Sequence, residues 1–307
     1  MLAFDIGGTD IKAALFDHRG RMLGLSRVPT PHEGGSTAEA VVRQVGERAD
    51  ALAAQFPEVL PAAAGLVAPG TVDDDRGMAI SAANLDWENA PLSELAKGLL
   101  GLPVSLSHDV RAAGEAEYRL GAARPYRDVI VIVIGTGIAS AIILDGRLHV
   151  AGGHAGEIGH AVLDPAGLRC PCGARGCLET VGSAGAIVAR YHAMTGHRPT
   201  GGRDVLARAR AGDATAQGVW DDAVRAVSIS IAQLAAILAP EAVVIGGGIA
   251  QAGDDLFHPL REQVDALLSF HRRPVIVPAR IGQNAGLVGA ALCARRAGGH
   301  DRQGGLT

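Results

Sequence analysis

The sequence predicts an α/β fold assembled from two related halves. Three observations support this prediction: apolar strands alternate with amphipathic helices, short glycine loops follow three of the strands, and one strand–loop–strand order occurs twice. At about 150 residues per domain, a chain of 307 residues is long enough for two domains, each with its own core. We therefore expect a first domain over residues 1–121 and a second over 122–285, with a C-terminal helix at 286–298 as a candidate to complete the first.

The first half begins with a predicted strand meander. Two apolar runs at 2–6 and 11–16 are separated by glycines, and a turn precedes a third extended segment at 22–28. A helix is predicted next, opened by a capping box of Ser36 and Glu39. The other elements predicted for this half are, in order, a strand at 62–67, a helix at 92–100, a strand at 104–106 and a helix at 110–120.

The second half repeats the opening of the first. A strand at 129–134 is followed by a glycine loop, a second strand at 138–144 and an Asp-Gly turn, which is the order seen near the N-terminus. An apolar stripe from Trp220 to Leu238 predicts a helix that Pro240 ends. The elements predicted after it are a strand at 242–245, a helix at 254–268, a strand at 275–277 and a final helix at 286–296.

Composition and charge exclude several classes of protein. With 28 basic and 32 acidic residues the net charge is −4, so we expect no nucleic-acid partner, since phosphate backbones select clustered Lys and Arg. No apolar stretch approaches the roughly 20 residues of a membrane span, and the N-terminus lacks a basic leader region. Four cysteines, three of them within eight positions, do not resemble a secreted disulfide framework. We expect a cytoplasmic protein without a membrane partner.

Three glycine loops are candidate phosphate-binding sites. Each follows an apolar strand, and glycine lets backbone N–H groups approach an anion closely. The loops are Gly7-Gly8-Thr9, Gly135-Thr136-Gly137 and Gly246-Gly247-Gly248. Any one of them could be a tight turn and nothing more, but the threonines in two of them add hydroxyl donors. None has the Walker or Rossmann spacing, so the sequence indicates another kind of nucleotide-binding fold.

Two aspartates follow predicted strands and are candidates for phosphoryl-transfer chemistry. Asp5 precedes the first glycine loop, where it could hold Mg²⁺ through water or be a turn residue without a ligand. Asp109 stands where a strand meets a helix, so its side chain points to the carboxyl edge of the sheet. It could take a proton from an attacking hydroxyl, or it could cap the helix.

The sequence also contains a pattern typical of a metal site. His160, Cys170, Cys172 and Cys177 lie within eighteen positions and match a tetrahedral zinc site of the Cys₃His kind. Four protein ligands leave no open position, so the zinc would be structural; the alternative is reduced cysteines without a metal. Glu157 and Glu179 bracket this segment, either as acceptors for the hydroxyls of a polyol or as surface acids.

Several of these motifs resemble the ROK family of repressors, open reading frames and sugar kinases. The segments concerned are Asp5-Ile6-Gly7-Gly8-Thr9-Asp10-Ile11-Lys12, Gly135-Thr136-Gly137-Ile138, Glu157-Ile158-Gly159-His160 and the cysteine segment from Cys170 to Glu179. The resemblance implies an actin-like, hexokinase-type (ribonuclease H-like) duplicated fold with an interdomain cleft. It also implies ATP-dependent phosphorylation of a hexose, usually at the 6-hydroxyl, with catalytic Mg²⁺, structural Zn²⁺ and a homodimer.

The resemblance also implies roles for individual residues. Asp109 would be the general base, and Glu157, His160 and Glu179 would contact the sugar, with Gly65, Asn84 and His108 beside it. The histidine would serve zinc through one ring nitrogen and the sugar through the other. The residues implied for ATP and its phosphates are Asp5, Gly7, Gly8, Thr9, Lys12, Gly135, Thr136, Gly137, Gly246, Gly247 and Gly248.

This sequence departs from the family pattern at two places, of which the first leaves the exact substrate open and the second weakens the match of the phosphate loop. His108 replaces the Asn that usually precedes the catalytic Asp, and 139–141 lack the usual glycines. Glucose is the leading candidate. The alternatives are N-acetylmannosamine, N-acetylglucosamine, fructose and allose, and a phosphoryl donor other than ATP stays open. A sugar-sensing regulator is the other alternative, although no DNA-binding domain would fit before Asp5 and Asp109 is retained.

Overall fold

The computed structural model describes residues 1–34, 37–82 and 85–299. The chain divides into two compact units: unit 1 contains residues 1–120, 150–155 and the stretch from 283 onward, and unit 2 contains residues 121–149 and 156–282. The segment 150–155, which lies inside the second domain predicted from sequence, therefore groups with unit 1.

The elements of the first 120 residues are β1 (Leu2–Ile6), β2 (Asp10–Phe16), β3 (Met22–Pro29), α1 (Thr37–Gln55), β4 (Ala64–Ala68), β5 (Thr71–Asp73), β6 (Met78–Ala82), β7 (Trp87–Ala90), α2 (Leu92–Leu100), β8 (Val104–His108) and α3 (Asp109–Leu120). The predicted strands and helices of this half are present, and the β5–β6–β7 sheet is an addition that the sequence pattern did not single out. The predicted cap Ser36 lies outside the described residues.

The later elements are β9 (Val129–Ile134), β10 (Ile138–Leu144), β11 (Arg147–His149), α4 (Glu179–Gly182), α5 (Ala184–Thr195), α6 (Gly202–Arg210), α7 (Ala214–Leu238), β12 (Ala242–Gly246), α8 (Asp254–Leu267), β13 (Val275–Pro278) and α9 (Ala285–Ala297). Among the described residues, no helix is both long enough and apolar enough to cross a membrane.

Unit 1 is built on a five-stranded sheet in the order β3-β2-β1-β4-β8. The first three strands form an antiparallel meander, and β4 and β8 run parallel to β1. Side chains alternate along each strand, so Phe4 and Leu66 share a core with α1 and α2, whereas Ala3 and Val67 face the core formed with α9. The sheet is therefore covered on both faces.

The C-terminal helix α9 packs on unit 1 in direct backbone contact. A Cβ atom on Gly65 of β4 would lie 1.9 Å from the carbonyl oxygen of Ala290, and one on Gly289 would lie 2.3 Å from the carbonyl oxygen of Ala112 in α3. Only glycine permits such close approach. A segment from the end of the chain is thus part of the core of unit 1.

Unit 2 repeats the same sheet topology. Its strand order is β11-β10-β9-β12-β13, with β9 to β11 antiparallel and with β12 and β13 parallel to β9. The internal repetition predicted from the sequence is confirmed. The long helix α7 begins after Asp213, whose Oδ1 accepts the N–H groups of Thr215 and Ala216, and it ends at Leu238, two residues before Pro240. Its buried stripe, which includes Trp220 and Ile231, covers one face of the sheet.

Candidate active site

One group of polar side chains lies at the carboxyl edge of the unit 1 sheet. Asp5 is close to the end of β1 and Asp109 directly follows β8, and both emerge at the same edge because these strands run parallel within one sheet. Lys12 pairs with Asp5 across β1 and β2, and its Nζ lies 3.1 Å from Asp5 Oδ2. The structure therefore brings three residues predicted from the sequence to one edge.

Asp109 has the environment of a general base. Helix α3 begins at this residue, one position earlier than predicted, and Asp109 Oδ1 accepts the N–H of Val110 at 2.6 Å. Its side chain retains 29% exposure. Burial and then the negative charge of Asp5 raise the pKa of Asp109 to about 7, against the lowering effects of the Val110 N–H, Arg111 and Lys12. A carboxylate with this pKa is suited to accept a proton near neutral pH.

His108 is buried beside the candidate base. Its Nδ1 accepts the backbone N–H of Arg111 at 3.3 Å, so a neutral ring carries its proton on Nε2. Nε2 lies 3.3 Å from Asp109 Oδ1. The histidine that replaces the expected Asn is therefore directed at the base, and its ring is fixed by the first turn of α3.

Arg111 is buried two positions after the candidate base and was not predicted as a site residue from the sequence. Its side chain is fully buried and donates to the carbonyl oxygens of Val72 and Gly153 at 2.8 and 3.0 Å. It also forms an ion pair with Asp74, which in turn accepts the hydroxyl of Ser107 at 2.6 Å. The only sequence signal was a charged residue two positions after the candidate base, because the partners lie far away along the chain.

The first glycine loop joins β1 to β2. The hydroxyl of Thr30 donates to the carbonyl oxygen of Gly7 at 2.7 Å, and His32 Nε2 lies 3.0 Å from the carbonyl oxygen of Gly8. Both contacts are made to carbonyl oxygens of the loop and hold its backbone in place. Thr9 follows the two glycines and is exposed, so its hydroxyl can reach a ligand.

The other two glycine loops meet at one edge of the unit 2 sheet. Residues 135–137 join β9 to β10, and residues 246–248 end and follow β12, which is parallel to β9. Gly247 has φ 83°, and a Cβ there would lie 2.2 Å from the carbonyl oxygen of Ile134. Gly247 is therefore packed against the end of β9, directly before the loop at 135–137, and Thr136 of that loop has an exposed side chain.

Glu157 directly precedes a short turn packed on β10, and His160 is the last residue of that turn. Residues Ile158–His160 form one turn of 3₁₀ helix. The turn is anchored through Gly156, whose carbonyl oxygen accepts the N–H and the hydroxyl of Ser140 at 2.8 and 3.1 Å. The two predicted sugar contacts are thus held close together within unit 2.

The four predicted metal ligands converge. One ligand atom from each of His160, Cys170, Cys172 and Cys177 lies within 4.8 Å of the others. The Cys172 and Cys177 sulfurs are 3.7 Å apart, and His160 Nδ1 is 3.6 Å from the Cys170 sulfur. A tetrahedron with Zn–S bonds of about 2.3 Å places its sulfurs about 3.8 Å apart. Burial raises the pKa of Cys177 to about 12, so metal binding there would displace a proton.

Glu179 begins α4, two residues after Cys177. Its Oε2 accepts the backbone N–H of Ile138 at 2.7 Å, directly after Gly137. The residue predicted to contact the sugar is therefore also in contact with a glycine loop, which the sequence did not predict.

Two other residues predicted to lie beside the sugar, Asn84 and Gly65, are not among the side chains placed above. Asn84 lies outside the described residues. Gly65 lies inside β4, three residues before its carboxyl end at Ala68, and packs against α9. This packing explains why glycine is required there, and a sugar contact by Gly65 stays a prediction.

Comparisons with known proteins agree over nearly the whole chain. The ROK family profile matches residues 1–297. A glucokinase of Streptomyces coelicolor is 34% identical over 315 residues, covering 96% of this chain and 97% of the relative. An N-acetylmannosamine kinase of Yersinia pseudotuberculosis is 33% identical over 297 residues, covering 96% and 98%.

Solved structures agree as well. A ROK family glucokinase from Streptomyces griseus, in complex with glucose and AMPPNP, matches with a TM-score of 0.81 at 34% identity, covering 96% of this chain and 99% of that chain. Together with the duplicated sheets, these matches confirm the expected α/β fold of the actin-like, hexokinase type.

Proposed function

The chain belongs to the ROK family, and from this premise we propose that it is an ATP-dependent hexose kinase whose leading substrate is glucose. The reaction transfers the γ-phosphoryl group of ATP to the 6-hydroxyl of the sugar and releases ADP. The observation that carries the proposal is Asp109, a partly exposed carboxylate at the carboxyl edge of the sheet whose pKa is raised to about 7. The similarity to glucokinases at 34% identity supports the same reaction.

In this proposal Asp109 accepts the proton of the attacking 6-hydroxyl. Phosphoryl transfer needs an aligned nucleophile and compensation of the charge on the transferred group. A base with a pKa near 7 is ionised above neutral pH and still basic enough to take the proton as the new P–O bond forms. His108, whose Nε2 lies 3.3 Å from Asp109 Oδ1, would orient the carboxylate.

Phosphate oxygens would be bound by the glycine loops and by cationic side chains. The proposed donors are the hydroxyls of Thr9 and Thr136 and the backbone N–H groups of the loops at 7–9 and 135–137, except those of Gly7 and Gly135, which already donate to nearby backbone carbonyl oxygens. Lys12, held by Asp5, adds a positive charge. The loop at 246–248 is proposed to lie beside the nucleoside.

Asp5 is the residue that we propose to hold Mg²⁺. Mg²⁺ keeps several of its waters and takes one or two protein carboxylates, and Asp5 offers one carboxylate just before the first glycine loop. When bound, Mg²⁺ supplies positive charge to the phosphate oxygens.

Glu157, His160 and Glu179 are the proposed hexose contacts. Carboxylates accept hydroxyl hydrogens, and His160, whose Nδ1 faces the Cys170 sulfur, has Nε2 left for a substrate. The Cys₃His group fits Zn²⁺ by ligand type and spacing, and with four protein ligands we propose a structural role for the metal. A homodimer, the absence of nucleic-acid partners and a cytoplasmic location stay predictions.

A second candidate activity is the phosphorylation of an N-acetylated hexose. The observation that favours it is His108, which replaces a residue that contacts sugar hydroxyls in the family pattern, together with the 33% identity to an N-acetylmannosamine kinase. A coupled ADP-release assay over glucose, mannose, fructose, allose and the N-acetyl sugars separates the two. The proposal expects glucose to give the highest kcat/KM, preference for an N-acetyl sugar would favour the alternative, and no response to any sugar would refute both.

A further inference from the structure

The carboxylate of Glu179 lies across the end of the glycine loop at 135–137. Its Oε2 accepts the N–H of Ile138 at 2.7 Å. A Cβ atom on Gly137 would come within 2.5 Å of the same oxygen, so the carboxylate contacts the backbone at Gly137 and Ile138, where the loop ends and β10 begins. In the part of the chain that the structure describes, Oε1 of Glu179 makes no hydrogen bond.

The rest of this loop is held by residues that follow Glu179 closely. The N–H of Ala184 donates to the carbonyl oxygen of Gly135 at 2.9 Å, and a Cβ on Gly185 would lie 2.7 Å from the carbonyl oxygen of Thr136. The loop also closes on itself through the N–H of Gly135 and the carbonyl oxygen of Gly137, at 2.9 Å. Segment 179–185 therefore contacts every residue of the loop.

Segment 179–185 is continuous with the cysteine segment. Leu178, which separates Cys177 from Glu179, is buried, and its N–H donates to the carbonyl oxygen of Ala161 at 2.9 Å, next to His160. Cys177 itself is fully buried. The backbone directly before Glu179 is thus held beside the His/Cys cluster.

We propose that Glu179 is a positioning residue for the phosphate-binding loop at 135–137, in addition to its proposed contact with the sugar. This inference rests on the proposed function. One carboxylate oxygen fixes the backbone at Ile138 through a charge-assisted hydrogen bond, and the other is left for a sugar hydroxyl. The loop is thereby set for nucleotide before any sugar binds, so Glu179 affects nucleotide affinity without touching the nucleotide.

The test is nucleotide binding in the absence of sugar, which a purely sugar-binding residue would leave unchanged. Binding of AMPPNP with Mg²⁺ is measured by calorimetry for the wild type, Glu179→Ala and Glu179→Gln. We expect Glu179→Ala to weaken binding about tenfold, as for loss of a hydrogen bond to a charged group. Glu179→Gln keeps an acceptor oxygen for Ile138 and should stay within about twofold of the wild type.

The matched control is Glu94→Ala. Glu94 also lies in the first turn of a helix, α2, but it is exposed and belongs to no proposed site, so the change should leave AMPPNP affinity unaltered. Should Glu179→Ala fail to fold, Glu179→Asp takes its place, because its shorter side chain no longer reaches Ile138.

Hydrogen exchange of the Ile138 amide provides a readout independent of nucleotide. Exchange should be faster in Glu179→Ala than in the wild type or Glu179→Gln. If the wild type binds AMPPNP, unchanged AMPPNP affinity in Glu179→Ala would overturn the inference, whatever the exchange rate of the Ile138 amide. If the wild type binds no AMPPNP while exchange still accelerates in Glu179→Ala, the positioning role stands and the proposed kinase function fails.

Discussion

Replacing Asp109 by Asn should abolish activity and at the same time stabilise the protein at alkaline pH. Asn keeps an acceptor for the N–H of Val110 but cannot take a proton from a substrate hydroxyl. Loss of a general base costs about 10²- to 10⁴-fold in rate. The variant should gain stability because the folded protein disfavours the charged form of Asp109, and Asn is never charged.

The raised pKa of Asp109 gives the size of the expected change in stability. A value of about 7 in place of 3.8 corresponds to about 4 kcal/mol between the two protonation states. Because the side chain is 29% exposed and therefore screened by solvent, we expect about 1–2 kcal/mol to be realised. The folded state has the higher pKa and binds more protons, so this carboxyl lowers stability as pH rises from about 4 to about 7. The Asn variant has no such dependence.

Thermal unfolding at pH 5 and pH 8 measures this difference. Asp109→Asn should raise the melting temperature over that of the wild type by about 2–6 °C at pH 8, with a smaller rise at pH 5. Asp50→Asn, on the exposed side of α1, is the control and should change neither value. An Asn variant that is destabilised equally at both pH values would contradict the raised pKa of Asp109, and one that retains more than a few per cent of wild-type turnover would contradict its role as the base.

Three further predictions concern the pH dependence of activity, the zinc site and the packing of α9. The kcat/KM for hexose phosphorylation should fall as pH drops below about 7, because the pKa of Asp109 is about 7, and a profile flat to pH 5 would exclude this base. Elemental analysis should find about one zinc per chain that Cys172→Ser loses, whereas an active wild type without zinc would contradict the metal assignment. Gly65→Ala should lower the free energy of unfolding by at least about 2 kcal/mol. The control is Gly218→Ala, because nothing lies within 4 Å of a Cβ atom at Gly218; this change should be neutral or stabilising by up to about 1 kcal/mol. If Gly65→Ala and Gly218→Ala changed the free energy of unfolding equally, the close packing of α9 on Gly65 would be contradicted.

Features determined by short stretches of sequence were predictable. The strand–glycine–strand units appear where the apolar runs predicted them, and the matching sheet orders confirm the repetition. The four metal ligands converge as their spacing indicated, since residues 160–177 are close along the chain. In these cases the residues that define the feature lie close together in the sequence.

Features that depend on distant segments were not predictable. Arg111 is held by Gly153, which lies 42 positions away, and the Glu179 carboxylate meets Ile138 at a separation of 41. Tertiary packing also determines that α9 belongs to the core of unit 1 and that residues 150–155 group with that unit. No periodicity or motif in one sequence indicates which backbone groups such side chains will meet.

The proposed reaction of this chain is phosphorylation of a hexose at its 6-hydroxyl with ATP. The most direct measurement is identification of the product by ³¹P and ¹³C NMR after incubation of the purified chain with ATP, Mg²⁺ and glucose, beside the Asp109→Asn variant. The account predicts glucose 6-phosphate and ADP in equal amounts from the wild type and neither from the variant. Formation of ADP without a sugar phosphate, or a sugar phosphate made equally by both proteins, would contradict it.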